Sequence, residues 1–195
     1  FNVNVCQLPF WSLVVFYSWK IYNDKKIKLL DCFLLGLYGA IGFLSKYLFV
    51  YLLISIVLFF IYLIYYKKIK RPDFRYFIIL EVFVVLLVPH FVWLINNDFI
   101  TITYGVKRAG LETPGIINHL KFPIIFLLKQ IGLLIPFLIL FLLLIKKFKF
   151  KINFNDQKLT FLVFINLMPI ILILLTSIVT GSEIRTMWMT PFYLF

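Results

Sequence analysis

The chain has 195 residues, 63% of them hydrophobic and 20% aromatic, with a mean hydropathy of +1.02 and a formal net charge of +12. Uncharged runs as long as Leu48–Tyr66 exclude an ordinary soluble domain, because a bilayer core about 30 Å thick is crossed by roughly 20 apolar residues in helical form. Nucleic acid is excluded as a partner by where the positive charge sits: Lys and Arg fall in short clusters between apolar runs, not along one water-facing surface.

The chain opens at Phe1 without a recognisable signal peptide and closes at Phe195 inside an apolar run, so it is expected to be an internal piece of a longer polypeptide. Hydropathy predicts an all-α transmembrane bundle with helices over 4–22, 29–45, 48–66, 76–95, 123–145 and 159–180, and a seventh beginning near 187. The first connection carries Lys20, Lys25, Lys26 and Lys28, the third carries Lys67, Lys68, Lys70, Arg71 and Arg75, and the fifth carries Lys146, Lys147, Lys149, Lys151 and Lys158. Because Lys/Arg excess marks the cytoplasmic side, these connections are expected to face inward, and the turn at Ser45-Lys46-Tyr47, the loop 96–122 and the turn 181–186 outward. The inner connections are monotonous in Lys and Asn, whereas the outer ones carry varied chemistry, so a site is expected on the outer side.

Cys6 and Cys32 lie on different predicted helices in apolar surroundings, with no CxxC or Cys/His spacing, which points to packing rather than a disulfide or a metal site; no cofactor is expected. In the second helix Gly36, Gly39, Ala40 and Gly42 share one side, a pattern that lets a neighbouring backbone approach closely. Close helix packing is favoured there over a phosphate-binding glycine loop, since the glycines lie inside an apolar helix with no preceding strand. Lys46 ends that helix, where an amine either snorkels to water or meets a ligand. Pro89 should bend the fourth helix near its outer end and tilt His90 and Trp93.

Loop 96–122 is long for a plain connector and is expected to hide an element. Thr113 is a good N-cap, Pro114 suits the first helical position, and Ile116, Ile117 and Leu120 follow at helical spacing, predicting an interfacial helix that ends before Pro123. Upstream, Phe99–Tyr104 has strand-like composition compatible also with an extended loop, and Lys107 and Arg108 follow as adjacent cations. Within the apolar runs, Glu81, Lys129, Gln130 and Asn166 are the polar exceptions, expected to face a cavity, a partner or nearby water.

Gly39-Ala40-Ile41-Gly42-Phe43-Leu44-Ser45-Lys46-Tyr47, then Pro89-His90-Phe91-Val92-Trp93 running to Asn96-Asn97-Asp98-Phe99, then Lys129-Gln130 with Pro136, and finally Trp188 through Pro191 to Tyr193 form an ordered set. In that order the set resembles the bacterial family 39 glycosyltransferases, relatives of the dolichyl-phosphate-mannose protein mannosyltransferases and of the lipid A aminoarabinose transferase. The resemblance implies a C-type glycosyltransferase fold in the bacterial inner (plasma) membrane, with the active site facing outward. A sugar would pass from a polyprenyl-phosphate donor to a lipid, glycan or protein acceptor.

Lys46 matches the family's Gly-Phe-Leu-Ser/Thr-Lys motif and is implied to hold the carrier phosphate, where an ammonium in a low-dielectric setting stabilises the leaving anion. Arg108 and Arg185 are further phosphate partners; Asn4, His90, Asn96, Asp98 and Lys107 are expected around the substrate cavity. The family's catalytic carboxylate is implied to lie upstream of Phe1, so no catalytic residue is expected within the chain. Relatives often carry Asp where this chain has Asn4, and an amide can hydrogen-bond a sugar hydroxyl but cannot act as a base. A secondary transporter or lipid-linked sugar flippase is the alternative, although no internal repeat or paired broken helices mark one.

Overall fold

A computed structural model describes residues 3–24, 26–66, 73–111, 115–145 and 156–195. Helices α1 (Val3–Cys6), α2 (Leu8–Asn23) and α3 (Leu29–Ser45) are followed by a 3-10 turn at Tyr47–Phe49 and by α4 (Val50–Tyr66) and α5 (Tyr76–Asn96). Then come α6 (Ile100–Arg108), α7 (Asn118–Ile145), α8 (Gln157–Thr180) and a 3-10 segment at Thr186–Tyr193. Among the described residues there is no strand, and the architecture is an all-α polytopic bundle.

Four helices are long and apolar enough to cross a membrane: Tyr47–Tyr66, Tyr76–Asn96, Asn118–Leu144 and Gln157–Thr180; Leu29–Ser45 is apolar but shorter. The second and third of these long helices bury only 11% of their most apolar window within the chain. Lipid or neighbouring membrane helices must cover the rest, because an apolar surface that large is untenable in water.

The backbone groups at helix ends explain where the elements stop. Asp156 caps α8 by accepting the Lys158 N–H at 2.9 Å, and Gly181 closes the other end at φ 69°, a left-handed conformation that costs glycine little. α5 ends differently: Asp98 and Phe99 both adopt positive φ, 49° and 53°, and the Phe99 N–H reaches back to the Leu94 carbonyl at 2.9 Å. That reversal launches α6. The strand-like composition of Phe99–Tyr104 is thus overridden: Ile100–Tyr104 is helical, and with no strand beside it the segment satisfies its N–H groups internally. Helix α7 starts at Asn118 and continues through Pro123, so 118–122 form its first turns rather than a separate interfacial helix. The proposed start at Thr113 and Pro114 lies outside the described residues, as do Glu112, Lys25, Lys67, Lys68, Lys70, Arg71, Lys146, Lys147, Lys149 and Lys151. α5 likewise runs unbroken through Pro89. Beyond Arg185 the chain forms a 3-10 segment, Thr186–Tyr193, that contains Pro191, in place of the expected seventh α-helix.

The core is aromatic. Trp11 on α2 meets Phe49 edge-on at 5.5 Å between centroids and Phe192 at 5.1 Å, so one buried indole joins the start of the chain to its last segment. The glycine pattern on α3 resolves into two close approaches. A Cβ on Gly36 would stand 2.6 Å from the Ile79 carbonyl oxygen of α5, and one on Gly42 would stand 2.4–2.7 Å from the buried Phe49 ring. Gly39 has ordinary room, its nearest neighbour being Phe83 at 3.5 Å. Gly36→Ala is therefore expected to lower the thermal unfolding midpoint in detergent, by an overpacking cost of about 1–3 kcal/mol. Gly39→Ala should leave it unchanged or slightly raised; equal midpoints for the two variants would contradict this account of the α3–α5 contact.

Polar contacts separate into two ends. At one, Lys20 pairs with the buried Asp31 at 2.8 Å, and the Arg75 guanidinium donates to the Ile27 carbonyl, tying the α2–α3 connection to the start of α5. At the other, α1, the α3–α4 junction, α6 and the segment after α8 converge. The Glu183 N–H donates to the Ala109 carbonyl at 2.9 Å, and a hydrogen bond of 2.8 Å links His119 Nδ1 to the Ile178 carbonyl.

Candidate functional site: a cationic cavity at one end of the bundle

Lys46 is the single residue between α3 and the 3-10 turn, and its extended backbone (φ −165°, ψ 128°) breaks the helix there. The break turns its side chain toward α1 and the final segment. Its Nζ donates to Asn4 Oδ1 and stands 5.8 Å from the centroid of the Trp188 ring. Arg108, in the last turn of α6, packs 5.8 Å from the Tyr104 ring and donates to the Tyr104 hydroxyl at 3.1 Å. Lys46, Arg108, Tyr104 and Trp188 line one cavity of about 380 Å³, together with Tyr47, Tyr51, Thr176, Thr180 and Ser182.

The electrostatics of this cavity suit an anion. Burial holds the Lys46 ammonium down at about 8, well below the usual lysine value, and the nearby Arg108 guanidinium depresses it further. Among the described residues neither cation has a carboxylate within ion-pair distance. Asn4 supplies an oxygen to Lys46 without neutralising it, since an amide carries no charge. The larger cavity, about 480 Å³ between α2, α3, α4 and α5, is lined by apolar side chains with Ser18, Tyr22 and Tyr76 and contains no charged residue. It offers an anion nothing.

The remaining expected site residues divide by position. His90 does not line the cavity: its Nε2 lies 2.8 Å from the Tyr47 hydroxyl, which also lies 2.8 Å from Thr101 Oγ1, so His90 and Thr101 together fix Tyr47. Asn96, Asp98 and Lys107 are exposed and outside the cavity lining. Arg185 contributes its carbonyl, accepting the Trp188 N–H at 3.0 Å and so holding the turn that presents Trp188 to Lys46. Its side chain is not among the cavity lining. Of the intramembrane polar residues, Gln130 is buried and its Oε1 accepts from the Tyr193 hydroxyl, whereas Asn166 bonds back to the Leu162 carbonyl at 2.8 Å and Glu81 and Lys129 are exposed.

Tyr47, Tyr104 and the hydroxyls at the end of α8 are cavity residues that sequence reasoning passed over. The signal available was the recurrence Thr176-Ser177, Thr180, Ser182 closing an otherwise apolar helix.

The fold and site define a polytopic membrane protein with an anion-receptive cavity at one end of its helices. Residues 1–93 match the family model described as dolichyl-phosphate-mannose-protein mannosyltransferase, so over that stretch, slightly under half of its length, the chain is similar to that family. No curated protein and no solved structure matches the chain. The matched stretch contains Asn4, Lys46, Tyr47, Tyr51 and His90; Arg108, Thr176, Thr180, Ser182 and Trp188 lie beyond it.

Proposed function

We propose that this protein transfers a sugar from a polyprenyl-phosphate donor to a lipid, glycan or protein acceptor on the extracytoplasmic face of a bacterial inner membrane. The observation that carries the reading is the pair of cations lining one cavity without a carboxylate partner among the described residues: Lys46, partly desolvated, and Arg108, exposed at its rim. In glycosyl transfer the bond between the sugar's anomeric carbon and the phosphate oxygen breaks as an acceptor oxygen bonds to that carbon. Negative charge then gathers on the departing phosphate. A cation fixed in a site of low dielectric constant, as the half-buried Lys46 is, stabilises that charge more than a water-exposed one would. Each cation also rests beside an aromatic ring, Lys46 against Trp188 and Arg108 against Tyr104, which holds it in place without neutralising it.

The test is an assay of the full-length protein in membranes with labelled polyprenyl-phosphate sugars, where label should move to an acceptor in a donor-dependent way. Failure of every such donor to transfer label would reject the activity. Orientation has its own measurement, motivated by the alternation of Lys/Arg clusters. With Cys6 and Cys32 replaced by Ala, Ile116→Cys should react with a membrane-impermeant maleimide in intact cells, and Lys26→Cys should react only after permeabilisation. The reverse pattern would put the cavity on the cytoplasmic side.

A further inference from the structure

The polar lining of the cavity is divided by hydrogen-bond sense, and this division orients a ligand. On α8, the Thr176 hydroxyl donates to the Leu172 carbonyl at 2.9 Å, so its one proton is committed. Tyr51, whose oxygen lies 3.0 Å from Thr176 Oγ1, must then be the donor of that bond. Thr180 is placed similarly: its proton goes to the Thr176 carbonyl at 2.7 Å, which can only accept, and Ser182 Oγ at 3.0 Å is left to donate to it. Four hydroxyls facing one cavity thus spend their protons on the protein and present lone pairs. Lys46 and Arg108, by contrast, have donors and no acceptors.

We propose that Tyr51, Thr176, Thr180 and Ser182 form the sugar-binding face of the cavity, accepting hydrogen bonds from sugar hydroxyls, while Lys46 and Arg108 take the phosphate. This rests on the donor reading above and extends it to residues of α4 and α8. A phosphate oxygen cannot donate, so against the hydroxyl face it would meet lone pair with lone pair; a sugar hydroxyl can donate, and fits. A glycosyl phosphate carries both chemistries at adjacent positions, and a cavity of about 380 Å³ is at the small end of ligand pockets, which run to about 1,000 Å³. The face selects for the sugar and the cations select for the anion.

The experiment measures dissociation constants of the full-length protein in lipid nanodiscs for two kinds of probe: polyprenyl phosphate without sugar, and the same carrier bearing mannose, glucose or aminoarabinose. The parent should bind at least one sugar-bearing carrier more tightly than the bare one. Thr176→Val with Thr180→Val keeps side-chain shape and removes two acceptors, and should reduce that preference about five- to tenfold per lost hydrogen bond while leaving bare-carrier affinity unchanged. Tyr51→Phe, which leaves packing intact, should act in the same direction and covers a failure of the double variant to fold.

Lys46→Ala separates the two levels of inference. Loss of affinity for both probes in Lys46→Ala, with an unchanged sugar preference in the hydroxyl variants, would overturn the sugar face and leave the phosphate site standing. Unchanged bare-carrier affinity in Lys46→Ala would overturn the phosphate site itself. Equal losses for both probes in the hydroxyl variants would mark α8's hydroxyls as structural and overturn the proposal, as would a parent with no preference for any sugar-bearing carrier.

Discussion

Lys46→Ala is expected to reduce donor-dependent transfer by about a hundredfold or more, an effect of the size seen when a fixed charge-stabilising group is removed from an active site. The loss should appear in kcat as well as in donor affinity, because the phosphate gains charge as the glycosidic bond breaks. Lys46→Arg should recover part of it: charge is retained, but a planar fork replaces a compact ammonium beside Asn4 and Trp188. Transfer rates at matched membrane protein levels, with Lys26→Ala at the other end of the bundle as control, provide the measurement. If Lys46 merely snorkels, Lys46→Ala should turn over donor like the parent, and near-parental activity would return the residue to a structural role.

How far the site could be read from the residues depends on what fixes each side chain's direction. Lys46 was legible because it ends a glycine-rich apolar helix, where a cation has few alternatives. Arg108 and Lys107 were both expected at the site, one at the phosphate and one at the substrate cavity, since adjacent cations look alike until the secondary structure is known. Once 100–108 is helical, Thr101, Tyr104, Gly105 and Arg108 recur at three- and four-residue spacing and share a face, while Lys107 is rotated about 100° away from Arg108.

The same periodicity explains why the strand-like reading of Phe99–Tyr104 misled. β-branched residues there report local preference, which the turn at Asp98-Phe99 and the bond from Thr101 to Tyr47 override. Asn96 and Asp98 were grouped with the cavity, yet Asn96 is the last residue of α5 and Asp98 belongs to the turn that follows it. Thr176 and Thr180 were invisible for another reason: lone Thr residues in apolar helices commonly bond back one turn. These do so, and the lone pairs left facing the cavity become apparent only in three dimensions. The resemblance located Lys46 and the aromatic end at Trp188, but Gly36 and Gly42 needed coordinates to distinguish a backbone approach by α5 from a ring approach by Phe49.

The depressed Lys46 ammonium gives the site a pH signature that a mere surface lysine would lack. In the free protein it loses its proton near pH 8, and under the proposed phosphate role only the charged form would bind the carrier. The proposed donor, a sugar linked to polyprenyl phosphate, is a phosphodiester whose own charge is constant across this range, so on that proposal kcat/KM for donor should be flat below pH 8 and fall about tenfold per pH unit above it. Lys46→Arg should abolish that alkaline limb, because guanidinium stays charged throughout. Arg108→Gln has two separable consequences. Affinity at neutral pH should drop, since one phosphate partner is gone, but the limb should move to higher pH, since the charge that helps to depress Lys46 has been removed while burial, the larger cause, persists.

Stability runs the other way. Between about pH 8 and the usual lysine value near 10.4, the unfolded chain binds the Lys46 proton and the folded one does not, so folding becomes more favourable as pH rises through that window. Activity falling while the unfolding midpoint holds or rises therefore distinguishes titration of Lys46 from alkaline denaturation. A limb that stays in place in both Lys46→Arg and Arg108→Gln would assign it to another group and remove Lys46 from the phosphate site.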